Sequence, residues 1–69
     1  MNRKPVSSSN ILELGYSEAS MTLELMFANG WVYQYFDVPP NVAHDLEAAA
    51  SLGQYFNQHI RGQYRYARV

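Results

Sequence analysis

The sequence predicts an α+β fold: a three-stranded antiparallel β-meander followed by two short helices packed on one face, with the last residues available for a short C-terminal strand. Three observations carry this prediction. Apolar residues alternate with a period of two in the first half of the chain, an Asn29-Gly30 pair divides two such runs, and the period lengthens to that of a helix after Pro39-Pro40. At 69 residues the chain is one domain, 1–69, because a chain of this size buries only about 60% of its unfolded surface and cannot support two cores.

Residues 1–6 are polar and read as a flexible lead-in, and Ser7, Ser8 and Ser9 read as turn or strand-end chemistry because no base stands beside them. In residues 10–16, Leu12, Leu14 and Tyr16 alternate with Ile11, Glu13 and Gly15, which predicts a first strand of mixed quality. Residues 22–27 place Leu23, Leu25 and Phe27 on one face, and residues 31–36 form a dense aromatic and β-branched run. Asn29 and Gly30 tolerate the positive φ of a tight turn, so these two runs form a hairpin.

The length of that turn has a consequence for function. A two-residue loop sets Phe27 opposite Val32 and places Trp31, Tyr33 and Tyr35 on the face away from Leu23 and Leu25, as an exposed platform. If Gly30 instead takes the bulge position of a three-residue loop, the parity shifts by one and the tyrosines join the leucines inside. Both registers remain open from the sequence, and aromatics in strands are more often packed than exposed.

Pro39-Pro40 ends the third strand and suits the first turn of a helix over 40–50, with Val42, Leu46 and Ala49 at helical spacing. Ser51-Leu52-Gly53-Gln54 matches a capping box. The second helix then carries Leu52, Tyr55, Phe56, His59 and Ile60 as an apolar stripe, with Gly62 as its stop. The tail from Gln63 alternates Tyr64 and Tyr66 with Arg65 and is predicted as a short strand or an extended arm.

Composition excludes several classes. There is no cysteine, hence neither a disulfide scaffold nor a thiolate metal site. No apolar run approaches the ~20 residues of a membrane span, and no signal core follows the N-terminus, so the expected location is cytoplasmic. Catalytic parts are missing as well: His44 falls on the polar side of the first helix, and His59 reads as a packed or rim residue. Metal-ligand spacings are absent, and the glycines at 15, 30, 53 and 62 form no phosphate loop. The expectation is a non-enzymatic binding module without a cofactor or metal.

Charge points to what it binds. Arg3, Lys4, Arg61, Arg65 and Arg68 lie at the two ends, while residues 5–60 carry all six acids and no Lys or Arg. If the termini meet, the cations form one patch for an anionic partner. The first reading is weak RNA or single-stranded nucleic-acid binding, with Arg3, Lys4, Arg61, Arg65 and Arg68 on phosphates and Tyr33, Tyr35 and Tyr64 stacking on bases. A net charge of −1 and a pI near 6.0 predict that such binding is weak and confined to one end. The alternative is a protein-interaction or homodimerisation module using open sheet edges and a tyrosine-rich surface. Arg61 also stands where a helix dipole favours a cation without any ligand.

Taken in order, S-S-N-I (8–11), G-Y (15–16), L-x-L-x-F-x-N-G-x-V-Y-Q-Y-x-x-V-P (23–39), S-x-G-x-Y-F-N-x-x-I-R (51–61) and a closing Y-x-x-x-R-V (64–69) resemble the KTSC domain. This short module is named for the C-terminus of some lysyl-tRNA synthetases and also occurs as a free-standing bacterial or phage-type protein. The resemblance spans residues 6–69, and Tyr33-Gln34-Tyr35 matches the family's Y-x-Y. It implies RNA as a partner through the synthetase association, and it supplies no catalytic residue.

Overall fold

The computed structural model describes all residues from Met1 to Val69. Five strands and two helices follow one another as β1 (Lys4–Pro5), β2 (Ile11–Ser17), β3 (Thr22–Phe27), β4 (Val32–Tyr35), α1 (Pro40–Ala48), α2 (Leu52–His59) and β5 (Tyr66–Arg68). The sheet is an antiparallel meander in the order β1-β2-β3-β4-β5, so the three central strands expected from the pattern are flanked by one short strand on each side. The segment expected as a lead-in supplies β1, where Lys4 pairs with Leu14 and Pro5 with Glu13. A proline is tolerated there because β1 is an edge. The tail forms β5, which closes the other edge against β4 after the two helices.

The hairpin between β3 and β4 has a three-residue loop. Leu25 pairs with Tyr33 and Leu23 with Tyr35, the Gly30 N–H donates to the Phe27 carbonyl at 2.8 Å, and the Phe27 N–H donates to the Trp31 carbonyl at 2.9 Å. Gly30 sits at φ 89°, the left-handed bulge position that closes such a loop. Tyr33 and Tyr35 therefore share the face of Leu23 and Leu25, and the platform alternative does not occur.

A second irregularity shapes β2. Its register with β3 slips between Ile11 and Glu13, leaving Leu12 as an extra residue. The bulge resets the alternation, so that Ile11 and Leu14 both point inward while Leu12 is exposed.

Helices cover only the inner face. Ile11, Leu14, Leu23, Leu25 and Tyr35 of the sheet pack against Ala43 and Leu46 of α1 and Leu52 and Phe56 of α2, with Val38 and Ile60 closing the ends. Pro40 takes the first turn of α1, as predicted, but the helix stops at Ala48 and Ala49 is already extended. Ser51 caps α2 by accepting from the Gln54 N–H at 3.2 Å. Beyond the last turn, the Arg61 N–H reaches back to the Phe56 carbonyl at 2.9 Å, and Gly62 at φ 77° turns the chain toward β5.

The outer face has no second layer, and ions take its place. Glu24, at its centre, is only 6% exposed. It accepts from Gln34 at 2.8 Å and pairs with Arg3, which also donates to Glu13 at 2.9 Å. Burial alone would raise the Glu24 carboxyl, but the Gln34 hydrogen bond and the Arg3 charge hold it below the usual carboxylate range. The N-terminal segment lies close over this face at Gly15, where a Cβ atom would stand 2.6 Å from the Asn2 carbonyl oxygen. No helix is long and apolar enough to cross a membrane.

Candidate functional site: an aromatic cleft beside one free cationic edge

The helices do not reach the whole inner face. Between α2 and the β3–β4–β5 end of the sheet they leave an open cleft of about 620 Å³, lined by Phe27, Trp31, Tyr33, Tyr35, Phe56 and Tyr66. Strand register accounts for this gathering. Phe27 shares a face with Leu23 and Leu25, Tyr33 and Tyr35 follow from the three-residue turn, and Tyr66 faces Tyr35 across β4 and β5. The rings meet edge-on as well as in offset stacks: Phe27 and Tyr33 lie 5.7 Å apart at 86°, and Tyr35 and Phe56 lie 5.6 Å apart at 75°. The walls are thus concave, with Tyr35 buried at the base and Tyr33 half-buried above it.

Polar groups at the cleft are few. Arg61, just past α2, is the one charged residue lining it, and no carboxylate does so. Arg68 on β5 lies alongside, its guanidinium carbon 3.7 Å from the centroid of the Trp31 ring in a cation–π contact. Asn10 and Asn57 add side-chain amides from the loop before β2 and from α2, while Asn29 accepts from the Trp31 N–H at 3.0 Å within the turn. Burial, with smaller contributions from Tyr33 and Tyr66, pushes the Tyr35 phenol up to about 12, so it stays a neutral donor.

The residues expected to touch an anion separate into distinct groups. Arg3 and Lys4 lie at the β1 edge, four strand spacings or roughly 19 Å from the β5 edge that holds Arg68. The two termini therefore do not build one patch. Arg3 is committed to Glu13 and Glu24, and Lys4 pairs with Glu47 of α1. On the C-terminal side, Arg65 pairs with Asp37 at 2.9 Å and lies near Phe36. Tyr64 packs against the core beside Phe36 and Arg65, away from the cleft.

Arg61, Arg68, Tyr33 and the edge of Tyr35 do come together. Trp31, Tyr66, Phe27, Phe56, Asn10 and Asn57 join them, although the charge pattern gave no sign of these six. The signal for Tyr66 was its place beside Arg65 in the alternating tail, whereas Asn10 and Asn57 carry none in one dimension. The two histidines stay apart from the cleft: His59 is exposed against Tyr55 with ring centroids 4.4 Å apart, and no group of three His, Asp or Glu side chains is placed to hold a metal.

The sequence-family model described as the KTSC domain matches residues 7–64. The chain belongs to the KTSC family. The crystal structure of a KTSC domain protein from Yersinia pestis superposes with a TM-score of 0.96 at 35% identity, covering 99% of this chain and 96% of that one. An uncharacterized protein from Stutzerimonas stutzeri is 43% identical over 70 residues, covering 100% of this chain and 99% of its own length. A lysine--tRNA ligase of Nostoc punctiforme is 41% identical over 61 residues, 88% of this chain. Against that ligase the KTSC chain spans only 11% of the relative's length. The family's Tyr33-Gln34-Tyr35 motif divides between the two faces: the tyrosines line the cleft, and Gln34 supports Glu24 on the outer side.

Proposed function

We propose that this KTSC domain is a small, non-enzymatic module of the cytoplasm that binds single-stranded RNA weakly through the aromatic cleft. One observation carries the reading: a concave aromatic surface whose only lining charge is Arg61, with Arg68 free beside it and every carboxylate elsewhere. Aromatic faces accept unstacked bases, and a base stacked on a side chain contributes about 1–3 kcal/mol. The guanidinium groups are placed to take the flanking phosphates. The likeness to part of a lysine--tRNA ligase supports an RNA partner. Arg3 and Lys4 drop out of this interface because both are engaged at the opposite edge.

An NMR titration of the whole chain with short single-stranded RNA at low salt tests the proposal. Shifts centred on the Trp31 indole, Tyr33, Tyr66 and the Arg61 and Arg68 side chains are expected. An unchanged spectrum at millimolar RNA would remove the reading. A protein-interaction module, the competing reading, would instead show a salt-dependent change in mass by light scattering without RNA.

A further inference from the structure

The shape of the cleft and its amides reach beyond general affinity for a strand. A sheet that stacks successive bases needs a run of exposed rings on a flat face, and here only Trp31 and Tyr66 at the rim are exposed, Tyr33 is half-buried, Tyr35 is 6% exposed, and the rings around Phe27 and Phe56 stand at 86°, 66° and 75° to their neighbours. Such walls suit one ring laid against them and not a stacked run. The volume of about 620 Å³ in this open cleft accommodates a single small ligand. Two separate elements then bring unengaged amides to the boundary between it and the adjoining groove lined by Ser8, Ser51 and Gln54. Asn10 lies in the loop before β2 and Asn57 on α2, both line the cleft, and neither side chain hydrogen-bonds within the chain. An amide offers a donor beside an acceptor, which is the pattern that the edge of a base presents.

Resting on the RNA reading above, we propose that the cleft is a single-nucleotide pocket. One unstacked base lies in the cleft against the Tyr33 and Tyr66 rings, Asn10 and Asn57 read its edge, and Arg61 holds the adjoining phosphate. The module therefore discriminates between bases, and the discrimination lies in the amides and not in the arginines. Flanking nucleotides contribute through phosphate alone.

The chain contains one tryptophan, so Trp31 fluorescence reports the cleft directly. Titrations with the four nucleoside 5′-monophosphates and with ribose 5-phosphate are expected to give a response to nucleotides and none to the sugar phosphate. Trinucleotides with each central base should differ by about 5- to 150-fold, the range of one bidentate base contact. Asn10→Ala with Asn57→Ala should collapse that spread without changing the salt slope. Arg61→Ala should flatten the slope by about 0.7 and keep the order of bases. Asn10, Asn57 and Arg61 are all exposed, so these variants retain the core.

A trinucleotide with an abasic centre that binds as well as the best base would overturn the pocket and leave RNA binding intact. Absence of any oligonucleotide response would overturn both. Displacement of bound nucleotide by a short aromatic-ended peptide at lower concentration would assign the cleft to a protein partner and likewise overturn the pocket.

Discussion

Removal of Ala28 separates two explanations for the inward tyrosines. In the native turn, Ala28, Asn29 and Gly30 connect Phe27 to Trp31, whose N–H···O contact opens the ladder. Without Ala28 the same two residues are joined by Asn29-Gly30 alone, the preferred sequence for a two-residue type I′ loop. Phe27 still faces Trp31, so Leu25 still faces Tyr33 and the cleft keeps its walls. The Gly30–Phe27 and Trp31–Asn29 bonds of the native loop give way to a Trp31 N–H to Phe27 carbonyl bond, and the bond from the Ala28 N–H to the Asn10 carbonyl at 2.8 Å is lost outright, each worth about 0.5–1.5 kcal/mol. The shorter loop offsets part of this loss through lower closure entropy. The expected result is a change in unfolding free energy of about 1 kcal/mol or less by urea titration, with unaltered NOEs between the Tyr33 and Phe27 rings. A loss above about 3 kcal/mol, or disappearance of those NOEs, would refute the argument that register, and not the particular turn, sets which face the tyrosines occupy.

Three other perturbations probe the layers around the cleft. Gly15→Ala places a methyl group 2.6 Å from the Asn2 carbonyl oxygen, so it should dislodge the N-terminal segment at a cost of about 1–3 kcal/mol, seen as a lower urea midpoint and faster amide exchange in β1. The Tyr35 phenol is raised, from 10 unfolded to about 12 folded, so its contribution is whole below pH 10 and is lost as pH rises toward 12. That amounts to about 2–3 kcal/mol, and a late component in the 295 nm phenolate absorbance should coincide with unfolding. The Glu24 carboxyl is held below 4.5, so its contribution is present above that pH and is lost as pH falls through its folded value. Glu24→Gln should flatten the stability profile on that acid side, as followed by urea midpoints between pH 5 and 2.

The central meander and both helices were legible because each rests on local chemistry: alternation, an Asn-Gly turn, a proline at the first turn of α1 and a serine cap on α2. The parity of the hairpin was not. Asn29-Gly30 suits either loop length, and the choice depends on the core that Tyr35 and Phe56 complete from 21 residues apart. Leu12 misled the alternation of β2 for a related reason, since a bulge is stabilised by what lies across the strand pair. Strand β1 was hidden because two residues, one a proline, carry no strand pattern. Its attachment comes from long-range ion pairs to Glu13, Glu24 and Glu47. Arg61 and Tyr33 were found by sequence type, whereas their common cleft exists only through the register of three strands.

Segregated charge takes a different meaning once the counterions are placed. Glu13, Glu24, Glu47 and Asp37 engage Arg3, Lys4 and Arg65, so the acidic middle of the chain neutralises most of its basic ends. A net charge of −1 thus describes the molecule poorly at the one place where cations remain unpaired. Arg61 and Arg68 face no carboxylate, and both border the cleft. Two phosphate contacts on a single strand give a slope of about −1.4 in log affinity against log salt, where three C-terminal arginines would give about −2. Fluorescence titrations of Trp31 with a fixed RNA trimer between 20 and 200 mM salt distinguish these values. Arg65→Ala should leave the slope unchanged, because Arg65 lies over Phe36, one residue out of phase with the face on which Tyr66 and Tyr35 line the cleft. A slope that falls with Arg65→Ala as much as with Arg61→Ala would mean that the whole tail, and not the cleft, carries the phosphate contacts.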